Sequence, residues 1–277
     1  MMGIALPETL FKKNKSGFND IREKARSFSA NYCGSQIIRS MIFRVISGYA
    51  QKKETSLEIL RYPFNDDELW AFTFVKKGTI FLCVNSDLAL CKQIFSAAHE
   101  LYHIYCYISN SDVDVLQRGS VLNSKTADEL AISQEDLEAN AFAGLLLMPD
   151  DCIDQQVKMM NISTTDVKID DILSLMEVFA LPYKATILRL LENGTISVKQ
   201  AEDLYGCDSS DINRRISLTG IAQEWQQNVV TPYWGSLRSA IQYNDDSGFL
   251  TDERVRSDQE YINELENSFS QRRNRGD

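Results

Sequence analysis

Residues 91–103 read CKQIFSAAHELYH, and the two histidines within them, His99 and His103, are the only histidines of a 277-residue chain. They stand four residues apart and Glu100 follows the first, so the segment carries an H-E-x-x-H motif. Residues i and i+4 lie one above the other on a helix, which lets two imidazoles converge on one ion. Glu100 then falls on the flank of that face, where it reaches a water rather than the ion, the place a general base needs. Asn85-Ser86-Asp87 offer N-cap candidates, and Leu88 to Ile108 contains no Gly or Pro while repeating Leu, Ile, Phe, Ala and Tyr. This predicts a largely buried helix. A lone histidine on such a helix reads as a satisfied core residue, but two at this spacing with the glutamate do not.

A catalytic zinc site typically takes three protein ligands and leaves a fourth position open. The next helical pattern, EDLEANAFAGLLLMP at 135–149, closes at Pro149 and offers Glu135 and Glu138 on one face. Glu138 is the first choice, because it directly precedes Ala139-Asn140 and because Ala143, Leu146 and Leu147 can pack this helix on the first. Glu135 is the fallback. Cys106, three residues after His103, is a third candidate, although a single Cys on an apolar helix usually behaves as a small hydrophobe. Zinc is the natural ion for two imidazoles and a carboxylate, and manganese or iron would also suit.

Taken together, TIFLCVN (79–85), CKQIFSAAHELYH (91–103) and LEANAFAGLLLMP (137–149) resemble the ImmA/IrrE family of metallo-endopeptidases. The likeness runs through Phe95, Ser96, Ala98, His99, Glu100 and His103, then Glu138, Ala139, Asn140, Phe142, Ala143, Leu146, Leu147, Met148 and Pro149. It extends over about residues 18 to 205 and leaves 207–277 outside. The resemblance implies His99, His103 and Glu138 as metal ligands, Glu100 as the catalytic carboxylate, and a protein substrate, a DNA-binding transcriptional repressor cut in response to stress or a mobile-element signal. Two positions depart from the family pattern: Lys92 stands where Arg is frequent, and Tyr102 where Gly is frequent. No capped helical unit precedes residue 18, so the repressor-type helix-turn-helix that many relatives carry there is not expected.

Upstream, LEILRYPF (57–64), LWAFTFVK (69–76) and TIFLCVN (79–85) are rich in β-branched and aromatic residues. Asn65-Asp66-Asp67 and Lys77-Gly78 supply turns between them. The expected fold class is α+β: a zincin-like core with a small antiparallel sheet beside the metal-binding helix, followed by a helical bundle. The plan is an N-terminal arm (1–17), the core (18–150) with helices over 18–51, a bundle (151–206) of helices near 151–160, 168–180, 183–193 and 197–205, and a helical C-terminal extension (207–277). Residues 109–134 are polar and read as a surface loop, with a lid over the cleft as the sharper alternative. In the extension, Trp225, Tyr233, Trp234 and Tyr243 either anchor a partner or close over the core. Ile262, Leu265 and Phe269 form one apolar stripe of a final helix, and Arg272, Arg273 and Arg275 a basic tail.

The chain is 44% hydrophobic and 25% charged, enough to bury a core, and carries a net charge of -10. That charge argues against nonspecific binding to nucleic acid. Basic residues such as Lys12, Lys13, Lys15, Arg22 and Arg26 gather near the N-terminus and read as a solvated helix face. No stretch approaches a membrane span and no apolar signal core opens the chain, which with six cysteines in no C-x-x-C pair predicts a cytoplasmic protein with reduced thiols. The expected function is a zinc-dependent endopeptidase acting on a regulatory protein. The competing expectation is a non-catalytic, metal-containing, partner-binding module of a mobile-element or toxin-antitoxin system.

Overall fold

The computed structural model describes residues 5–64, 66–110, 120–123, 133–228 and 232–275. Near the N-terminus come Leu10–Lys13 (α1), Lys15–Tyr32 (α2) and Ile42–Lys52 (α3). Asn14 caps α2, its side chain accepting from the Gly17 N–H at 2.9 Å. Leu10, Phe18, Ile21, Ala25 and Phe28 form the buried stripe that seats α1 and α2 on the core.

Three strands follow: Leu57–Tyr62 (β1), Leu69–Lys76 (β2) and Thr79–Asn85 (β3). Lys77 and Gly78 both take positive φ (51° and 78°), the conformation a two-residue hairpin needs, and so lock β2 antiparallel to β3. The sheet as a whole is mixed rather than antiparallel. Its order is β1-β3-β2-β4, and β1 runs parallel to β3, with Leu57 opposite Ile80 and Tyr62 opposite Asn85. The cause lies in the link after β1, which passes over the end of β3 instead of turning back. Buried Asn85 organises that crossing. Its Oδ1 accepts from the Phe64 and Asp87 N–H groups at 3.2 and 3.0 Å, and its Nδ2 donates to the Asp66 and Leu69 carbonyls, both at 2.9 Å. Ser120–Asn123 (β4) pairs antiparallel with β2. A strand therefore stands inside the stretch expected to be a loop or lid; most of the rest of 109–134 lies outside the described residues.

Leu90–Asn110 (α4) starts two residues later than expected and carries the H-E-x-x-H motif. Residues 93–104 are buried on every side, as expected of a helix covered all round. It lies against β2 and β3 on one side and Gln134–Leu147 (α5) on the other. Next come Asp150–Met159 (α6), Ile169–Phe179 (α7), Tyr183–Glu192 (α8), Val198–Tyr205 (α9), Ser209–Thr219 (α10) and the short Gln223–Gln226 (α11). Buried Arg189 of α8 fastens the end of α5: its guanidinium donates to the Met148 carbonyl at 3.1 Å, to Asp150 at 2.6 Å and to Glu192 at 2.9 Å. Gly144 makes room for it, since a Cβ there would stand 2.7 Å from Arg189 Cδ.

One apolar core runs from Leu6 to Trp225 and joins all of these helices to the sheet. Beyond it the chain returns to the sheet, where Tyr233 pairs with Arg61 on the β1 edge through bonds of 2.7 and 2.8 Å. Leu237–Asp246 (α12) and Asp252–Arg275 (α13) form a hairpin around Ile241, Val255 and Ile262. Trp225 is buried, whereas Tyr243 is exposed. Leu265 lies half-buried on α13, and the side chains of Phe269, Arg272, Arg273 and Arg275 lie outside the described residues.

Candidate metal centre

His99 and His103 project from one face of α4, and both are almost fully buried. Their Nε2 atoms stand 3.3 Å apart. Each Nδ1 is engaged by α5: His99 Nδ1 donates to Asn140 Oδ1 and His103 Nδ1 donates to Glu135 Oε1, both at 2.9 Å. Those acceptors set the tautomers, leaving the two Nε2 lone pairs pointed at one another. Such a pair is repulsive unless a proton or a cation lies between them, and that is the observation on which a metal fits.

The carboxylate placed to serve as a third donor is that of Asp136. Its Oδ1 lies 3.8 Å from His99 Nε2 and 3.9 Å from His103 Nε2, and among the described residues these three side chains form the cluster able to hold an ion. Local sequence explains the aim. Ser133 caps α5, its Oγ accepting from the Asp136 N–H at 3.0 Å and donating to Asp136 Oδ2 at 2.7 Å, which leaves Oδ1 turned toward the histidines.

Glu138, the expected third ligand, does not join that cluster. Its Oε2 accepts from Tyr102 Oη at 2.6 Å and its Oε1 from Gln134 Nε2 at 3.1 Å. Glu135, the fallback, sits behind His103 on the Nδ1 side, and Cys106 is held as a thiol, burial pushing its pKa up. The signal that finds Asp136 is helical phase. Asn140 reaches His99, and the residue one turn earlier on the same face is Asp136, whereas Glu138 meets α4 at Tyr102.

The electrostatics divide the two imidazoles. Burial, reinforced by the neighbouring His103, lowers the His99 pKa to about 3 despite the Asn140 hydrogen bond. Burial also disfavours charge on His103, but the Glu135 hydrogen bond and the carboxylates of Glu100, Glu135 and Asp136 outweigh it and raise the pKa. Glu135 is correspondingly lowered by its bond to His103. Burial thus favours the neutral form of His99, while the surrounding carboxylates favour a proton on His103. Glu100 is wholly buried between α4 and the sheet, near enough to act on both His103 and the Cys83 thiol of β3.

Residues 52–191, half of the chain, match the peptidase M78 family, described as the IrrE N-terminal-like domain. The chain belongs to this family. The M78 segment includes the whole metal cluster, and the family carries with it a metallopeptidase-type function. No curated protein matches the chain. Among the described residues, no helix is long and apolar enough to cross a membrane.

Proposed function

We propose that this M78-family chain is a zinc-dependent endopeptidase whose ion is held by His99, His103 and Asp136, with Glu100 as the proton-transfer group. The observation that carries the reading is the convergence of two lone-pair-bearing imidazole nitrogens and one carboxylate oxygen at a buried point beside a buried glutamate. A divalent ion at that point supplies Lewis acidity, making water a nucleophile near neutral pH and polarising a peptide carbonyl.

The chain's own groups do the remaining work. Glu100 accepts a proton from the attacking water and returns it to the departing amine. Asn140 and Glu135 hold the two imidazoles in the tautomer and orientation that expose Nε2, the support that metal-bound histidines commonly need. The reading includes a regulatory DNA-binding protein, a transcriptional repressor, as substrate. In support, the chain's net charge of -10 suits a basic partner. It also includes a reducing, cytoplasmic setting, in keeping with six free cysteines.

The test is digestion of a proteome-derived peptide library by the zinc-loaded full chain, analysed by mass spectrometry beside Glu100→Gln and a chelated control. Cleavage that needs both zinc and Glu100 supports the reading. A wild type that binds zinc and cuts nothing overturns it in favour of a non-catalytic metal-containing module.

A further inference from the structure

A cavity of about 420 Å³ lies outside the metal cluster, and none of His99, Glu100, His103 or Asp136 lines it. It falls within the roughly 300–1,000 Å³ span of small-molecule sites. Its walls are largely apolar and aromatic, with Trp70, Phe95, Leu137, Tyr183 and Leu188 among them. The core supplies one side, from β2, α4 and α5, while Pro7–Leu10 and residues of α10, both outside the M78 match, supply another.

Two features give the cavity a chemistry. The first is its polar lining. Lys92 lies over the Trp70 ring at 4.9 Å and forms no ion pair among the described residues. Of the acids in the lining, Glu192 is bonded to Arg189 at 2.9 Å, and exposed Glu8 stands 3.9 Å from Lys13. A ring for the aromatic wall and an anion for Lys92 are what such a lining favours. The second feature is Asn140. It lines the cavity while its Oδ1 holds His99 Nδ1, so the cavity lies behind His99, on the side opposite the Nε2 that faces the cluster. Anything that moves the Asn140 amide turns or releases the imidazole.

We infer that this cavity binds a small aromatic anion, a ring system bearing a carboxylate, sulfonate or phosphate, and that its occupation is transmitted to His99 through Asn140. The ligand then regulates the metal site through Asn140 without touching His99, His103 or Asp136. Only that regulatory consequence rests on the metal-site reading; binding and its effect on the imidazole do not.

The experiment uses metal-free full-length protein and two dyes of like shape, anionic anilinonaphthalene sulfonate and uncharged phenylnaphthylamine. Saturable one-to-one fluorescence binding of the anionic dye is expected. Lys92→Gln should weaken it by about tenfold, the scale of one charge-assisted hydrogen bond, and leave the uncharged dye unchanged. Ala185→Trp, on the half-buried cavity wall, should abolish both. With two histidines in the chain, ring resonances are assigned by comparison with His103→Gln, and the anionic dye should shift the His99 signals beyond those of His103. Equal affinity for both dyes with no effect of Lys92→Gln overturns the ligand class, and the cavity is then a niche for an apolar protein side chain. Dye binding that leaves the His99 resonances in place overturns the coupling. If Ala185→Trp does not fold, the Lys92→Gln comparison decides alone. Because no metal is present, these failures stay separate from failure of the peptidase reading.

Discussion

Replacing Asp136 should cost the protein its response to zinc, while replacing Glu138, two residues on, should cost stability and leave the response intact. The structure assigns the two carboxylates to different work: Asp136 Oδ1 faces both Nε2 atoms, and Glu138 is bonded to Tyr102. Partners behind a metal ligand are worth roughly 10–100-fold in metal affinity, so loss of a ligand itself should reach at least about 100-fold. With zinc at a hundred times the wild-type Kd, binding stabilises the fold by about 2.7 kcal/mol. At the same zinc concentration, Asp136→Ala then sits near its own Kd and gains about 0.4 kcal/mol. In a chain of this size those gains correspond to roughly 5–10 °C and about 1 °C in Tm.

Glu138→Ala should behave in the opposite way. Without metal it loses the hydrogen bond from Tyr102 to a carboxylate, worth about 1.5–3 kcal/mol, yet it retains the full zinc-induced shift. The assay is differential scanning fluorimetry of each variant with and without zinc, backed by competition against a chromophoric chelator. Comparing shifts rather than absolute midpoints removes the loss of the Ser133 hydroxyl bond to the Asp136 carboxylate, which Asp136→Ala also forfeits. A zinc shift that survives Asp136→Ala and vanishes in Glu138→Ala would refute the assignment.

Three further outcomes follow from the same geometry. Tyr102→Phe removes the donor to Glu138, so a double-mutant cycle of Tyr102→Phe with Glu138→Ala, read by urea unfolding, should show coupling of about 1–2 kcal/mol; strict additivity would contradict the bond. Gly144→Ala drives a methyl into the Arg189 side chain, which three partners hold in place, and should destabilise by about 1–3 kcal/mol; a neutral result would mean that Arg189 moves freely. The His99 pKa lies near 3 in the fold against about 6.5 in the unfolded chain, so below pH 6.5 the unfolded state takes a proton that the folded state refuses. His103, raised in the fold, has its stabilising contribution fully present below 6.5 and adds no slope there. Metal-free protein should therefore lose about 1 kcal/mol per pH unit from 6.5 to 4.5 beyond what His99→Gln loses, and equal slopes in the two proteins would show that His99 titrates normally.

The strands show how far local sequence reaches. Alternation and β-branching place β2 and β3 at the residues expected, and β1 differs only at its last two positions. Pairing was less legible. Asn65-Asp66-Asp67 has the composition of a hairpin turn, but β3 lies between β1 and β2, and a crossing over two strand spacings uses the same polar residues as a tight turn. What marks the crossing is Asn85, a buried amide at the end of β3 with four backbone partners, and those partners are defined only once the fold exists.

The metal site divides along the same line. His99, Glu100 and His103 are legible because one helix carries them all and helical period alone puts the two imidazoles together. The third donor depends on the phase of a second helix, and that phase is set by contacts the chain does not print side by side: Ser133 starting the helix and Asn140 meeting His99 across the packing. Tyr102 completes the difference. At position 102 this chain has a phenol whose hydroxyl donates to Glu138 at 2.6 Å, a bond a glycine could not make. An acidic helix end with three carboxylates in four residues is therefore sorted by its neighbours: Glu135 goes to His103 Nδ1, Asp136 to the two Nε2 atoms, and Glu138 to Tyr102. Tyr102→Gly would free Glu138, and if the released carboxylate then restored zinc binding to Asp136→Ala, the tyrosine would be shown to decide which of the carboxylates serves the metal.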